Sequence, residues 1–148
     1  MNRRMAELLK NVDVESLASG GLSPPPIPPA FVTDGDSVLL RSCWKGAQHI
    51  LPSDFSDRTG YESFINHVHL PWSNEDEVFS ALNFVFELRR GLGGFDAERD
   101  FRVILAAGAD DCTVRFHEIH PNEAWLADDL ESYPEEAILT VDAFAGRR

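Results

Sequence analysis

Phe101-Arg102-Val103-Ile104-Leu105-Ala106-Ala107, Gly108-Ala109-Asp110-Asp111 and Cys112-Thr113-Val114-Arg115-Phe116-His117-Glu118-Ile119 follow one another without interruption. The first run is apolar and too short for a helix, and the glycine and aspartates after it suit a tight turn. The second run alternates, with Cys112, Val114 and Phe116 on one face and Thr113, Arg115 and His117 on the other, as a half-buried strand does. Together they predict an antiparallel hairpin.

Working outward, His120-Pro121-Asn122-Glu123 stops the second strand, because proline cannot donate to a ladder and asparagine favours a helix N-cap. A short helix is predicted over 123–131, with Trp125, Leu126 and Leu130 near one face, ending before Tyr133-Pro134. Ala137 to Asp142 reads as a strand that pairs with one strand of the hairpin. Before the hairpin, Val78, Phe79, Ala81, Leu82, Val85, Phe86 and Leu88 form a broad apolar stripe. They predict a helix over 75–90 that starts at Ser73, is favoured by three acids in its first turn, and stops at Gly91.

Further strands are predicted near 37–44, after the Asp34-Gly35 turn signal, and near 64–70. In the second case helical and alternating patterns compete, and Pro71 tips the choice to strand. Residues 45–60 read as a long polar loop and a candidate contact surface. Arg4 to Ser19 carries an amphipathic helical pattern, and Ser23-Pro24-Pro25-Pro26-Ile27-Pro28-Pro29 reads as a polyproline II spacer. The expected architecture is α+β: a mainly antiparallel sheet of about five strands, a long helix packed on one face, and a short C-terminal helix. Residues 1–30 form a helix and Pro-rich arm, and 31–148 a single domain.

The net charge of −12 is uneven, since residues 96–142 hold 13 acids against Arg99, Arg102 and Arg115. That balance excludes a basic footprint for nucleic acid or anionic membrane and suits a basic protein partner. No apolar run reaches the roughly 18 residues of a membrane span. Cys43 and Cys112 sit in unlike contexts, so a reduced pair and a cytoplasmic location are expected. No cofactor is implied, and Gly91-Leu92-Gly93-Gly94 lacks the Lys-Ser/Thr pair of a phosphate loop.

Two constellations bear on function. Trp125, Asp128, Asp129, Glu131, Tyr133, Glu135 and Glu136 interleave large aromatics with acids, a composition that can form an anchor patch rimmed by negative charge. A competing reading keeps Trp125 and Leu130 in the core and leaves the acids alone to face a partner. Among metal ligands, His67 and His69 would share a strand face, His117 and His120 the end of another, and Glu118 or Asp111 could complete a shell. This set supports the alternative of a metal-dependent enzyme. Serines 53, 56, 63, 73 and 80 lack a nucleophile elbow, and no catalytic motif is present.

Thr113-Val114-Arg115-Phe116-His117 followed by Trp125-Leu126-Ala127-Asp128-Asp129-Leu130-Glu131, with the chain's size and acidity, resembles the small acidic immunity proteins of bacterial polymorphic toxin systems. The resemblance implies a helix-on-sheet protein that blocks a basic toxin domain with its acids. The expected function is therefore a non-catalytic protein-binding module.

Overall fold

A computed structural model describes residues 1–19 and 29–146. The sequence predicts the central hairpin correctly: β4 (Phe101–Ala107) pairs with β5 (Asp111–Glu118), with Leu105 opposite Val114. On the other side of β4 lies β6 (Ala137–Ala143), with Leu139 opposite Leu105. The edge strand β3 (His67–Pro71) joins β5, which completes an antiparallel sheet of order β3-β5-β4-β6.

Alternation sends Val103, Leu105, Val114, Phe116 and Leu139 to one face, where they meet Leu82, Val85, Phe86 and Leu92 of helix α5 (Glu75–Phe95). Asn74, rather than Ser73, is the N-cap, and its side chain accepts from Glu77 N–H. The helix also outruns its expected stop at Gly91. Leu92 is fully buried, and Gly91 lets the Phe31 ring lie against the helix, at a spot where a Cβ would come within 2.9 Å of Phe31 Cε2. Packing therefore keeps the glycine-containing last turns helical.

The fold departs from one five-stranded sheet. β1 (Phe31–Asp34) and β2 (Ser37–Leu40) form their own two-stranded hairpin, turned by Gly35 at φ +60°. The strand expected over 37–44 ends at Leu40, and Arg41–Trp44 is a helical turn, α3. All four residues of β2 are buried, with Val38 and Leu40 in the main core. Leu39 instead packs with Tyr61 and Ile65 in a second, smaller core.

The stretch over 61–70, where helical and alternating patterns compete, is the end of a helix followed by a strand. The loop expected over 45–60 gives way to a 3₁₀ turn at Pro52–Asp54 and to that helix from Arg58 onward. Helix α4 (Arg58–Ile65) is N-capped by Asp57, whose Oδ1 accepts from Gly60 N–H at 2.7 Å. The expected strand over 64–70 therefore begins only at His67. The N-terminal pattern is broken into α1 (Arg3–Leu8) and α2 (Val14–Ala18), the second capped by Asp13. Met5 and Leu17 from these helices are buried in the main core. The proline-rich reading over residues 23–28 lies outside the described residues.

The helix expected over 123–131 is absent. Asn122 sits at φ +62°, so it turns the chain instead of capping a helix, and the segment has only one 3₁₀ turn, Leu130–Ser132. Among the described residues no helix is long and apolar enough to cross a membrane.

Candidate functional site

The segment after β5 is a loop fastened at named points. Ile119 N–H donates to Asp100 O at 2.8 Å, and Glu123 accepts from Thr59 N–H, at the start of α4, at 2.9 Å. That hydrogen bond holds the Glu123 carboxyl below its usual pKa. Tyr133 Oη accepts from Ala127 N–H at 2.9 Å, and Glu131 accepts from Arg3 N–H at 2.6 Å. Tyr133 thus braces the loop, and Glu131 ties it to α1.

Trp125 is 39% exposed, so it is not the core residue of the competing reading. Its ring lies under the Arg115 guanidinium at 4.5 Å, a cation–π contact, and Arg115 also donates to Ser63 O at 3.0 Å. Burial lowers the Arg115 pKa, and the charge of Glu136 opposes that shift. Asp128, Asp129, Glu131, Glu135 and Glu136 are all exposed. Beneath the loop is a cavity of about 220 Å³ lined by Arg102, His117, Glu123, Trp125, Asp128 and Thr140. Arg102 forks onto Asp142, Nε to Oδ1 at 2.8 Å and Nη2 to Oδ2 at 2.9 Å, a contact that raises its pKa.

The four histidines do not converge. His67 and His69 stack edge-on at 5.2 Å between centroids on β3. His67 Nδ1 is bonded to Phe64 O, and exposed His69 lies 3.3 Å from Thr113 Oγ1 and 3.9 Å from Asp111. His117 is buried, with Nδ1 donating to Glu118 O at 2.7 Å. Burial keeps its pKa low, so the ring is neutral at neutral pH.

His120 meets a buried carboxylate at hydrogen-bond distance. Its Nε2 lies 3.1 Å from both Oε1 and Oε2 of Glu62, a fully buried residue that the sequence reading missed. Glu62 Oε1 accepts from Glu118 N–H at 3.0 Å and Oε2 from Ser37 Oγ–H at 2.9 Å, while Arg58 stands 3.6 Å away. One ligand atom each from Glu62, Glu118 and His120 lie within 4.8 Å of one another.

The available signal was a polar one: Thr59, Glu62, Ser63 and Asn66, at i, i+3, i+4 and i+7, are all buried. Asn66 closes the stripe, accepting from Leu40 N–H at 2.8 Å and donating to Val38 O at 3.1 Å and Phe116 O at 3.3 Å. This face of α4 therefore fastens the small hairpin to the large sheet.

The chain matches, over residues 1–145, the family described as "Uncharacterized protein PM0498 family", and it belongs to that family. No curated protein and no solved structure matches it.

Proposed function

We propose that the chain is a non-catalytic protein-binding module that engages a basic protein through the loop spanning Trp125 to Glu136, in the manner of an immunity protein blocking a toxin domain. The observation that carries this reading is the exposed Trp125, steadied by Arg115 within a segment whose five acids all face solvent. A rigid aromatic anchor with a charged rim is the composition of an interface hot spot. The surplus of acids would speed encounter with a cationic surface and repel nucleic acid.

The test immobilises the full chain and challenges it with lysate of the producing cells at low and high salt. It runs beside Trp125→Ala and a variant with Asp128, Asp129, Glu131, Glu135 and Glu136 reversed to lysine. The expected result is a basic protein held at low salt, released at high salt, and lost at least tenfold in both variants. Equal retention by the wild type and both variants would remove the loop from recognition. The immunity role further requires that the captured protein arrest growth when expressed alone and not beside this chain.

A further inference from the structure

We propose that Glu62, Glu118 and His120 form a site for one divalent transition-metal ion of the zinc class, which clamps the root of the 119–136 loop to α4. The site stands on its own residues; only its bearing on recognition rests on the reading above.

The ligand chemistry is suitable, since imidazole and carboxylate oxygens are common zinc donors. Two atoms each about 2.1 Å from a tetrahedral ion are about 3.4 Å apart, and His120 Nε2 lies 3.1 Å from each Glu62 oxygen. His120 Nε2 faces both Glu62 oxygens at once, at distances that also serve a hydrogen bond shared between them. They suit a carboxylate and an imidazole turned toward a common centre.

Charge points the same way by an independent route. Among the described residues, the charged groups around His120 in this network include the carboxylates of Glu62, Glu118, Asp96 and Glu123 and the guanidiniums of Arg58 and Arg99. With His120 neutral, as a metal ligand must be, four carboxylates against these two guanidiniums leave a surplus of two negative charges around the fully buried Glu62, which a divalent cation balances.

The surroundings also orient the donors. Ser37 Oγ–H and Glu118 N–H fix the Glu62 carboxylate, and Arg99, 3.2 Å from Glu118 Oε2 and 3.0 Å from Asp96, fixes Glu118. Outer contacts of this kind hold metal ligands in place. The Glu118 side chain is 20% exposed, which leaves a path from solvent.

The three ligands come from α4, the end of β5 and the loop itself. An ion bound by all three would tie the recognition loop to the body of the protein.

The experiment titrates zinc chloride into chelator-treated full-length protein near pH 7.5 by calorimetry, with thermal unfolding alongside. The expected result is one site of micromolar or tighter Kd and a raised Tm. His120→Asn and Glu118→Gln should each weaken binding at least tenfold, while the His67→Ala/His69→Ala double variant binds as the wild type does. Glu62→Gln removes a buried charge and can unfold the chain, so the decision rests on the partly exposed Glu118. Absence of heat and of a Tm shift with zinc and with manganese at ~50 μM protein overturns the proposal. So does binding that survives in Glu118→Gln and His120→Asn but is lost in the double histidine variant.

Discussion

Asn2 and Ile138, 136 residues apart in sequence, are joined by reciprocal hydrogen bonds: Asn2 N–H to Ile138 O at 3.0 Å and Ile138 N–H to Asn2 Oδ1 at 3.0 Å. The same Oδ1 accepts from Met5 N–H at 3.1 Å, and Nδ2 donates to Glu136 O at 2.8 Å. One side chain thus caps α1 and covers the open edge of β6, where unpaired backbone groups would otherwise invite another strand. Asn2→Ala should cost about 2 kcal/mol, the loss of a cap and of buried hydrogen bonds. Asn2→Asp keeps the acceptor but turns an oxygen toward the Glu136 carbonyl in a buried position, so it should cost at least as much. Urea unfolding of the two variants measures the difference.

Asn66→Ala leaves Leu40 N–H, Val38 O and Phe116 O without their partner in a buried seam. The expected loss is about 3 kcal/mol. Hydrogen exchange at the Leu40 amide should accelerate more than at Leu105, because the small hairpin loosens before the central strands do.

Two glycines of α5 should respond to alanine with opposite signs. At Gly91 the added methyl would come within 2.9 Å of the Phe31 ring, and overpacking of this kind costs about 1–3 kcal/mol. At Gly94 a Cβ meets nothing within 4 Å, so the gain in helix propensity, up to about 1 kcal/mol, should appear as added stability. Thermal melts of both variants decide it.

The Cys112 thiol is 1% exposed, and burial pushes its pKa from the usual 9.0 up to about 11. A raised folded-state pKa means that between pH 9 and 11 the thiolate forms in the unfolded chain first. Stability is therefore intact below pH 9 and falls by up to about 1.4 kcal/mol per pH unit above it. Cys112→Ala should remove that slope from a pH series of urea unfolding curves. At pH 8 the half-buried Cys43 should be alkylated ahead of Cys112.

The parts of the fold legible in the sequence are those where burial follows a simple period. Cys112, Val114 and Phe116 alternate into the core as written, and the α5 stripe from Val78 to Leu88 faces the sheet. The expected pairing of the last strand with one of the hairpin strands is also met, with β4. Helix α4 was obscured because its buried face is partly polar: Glu62 and Asn66 occupy positions that a hydrophobic pattern reserves for leucine. The short helix expected after Asn122 failed on a backbone angle, φ +62°, to which a propensity for capping is blind. The acids of the loop were correctly placed in solvent, whereas the partner of His120 was hidden because Glu62 lies 58 residues away.

The position of α5 in the chain has a consequence for synthesis. Its apolar stripe is finished at Phe95, but the strands that cover it are complete only at Ala143, about 50 residues later. At ~5–20 residues per second the stripe waits about 2–10 s on the ribosome before its sheet exists. During that wait it offers an amphipathic helix to chaperones and to neighbouring nascent chains. A codon pause between residues 96 and 142 would lengthen the exposure.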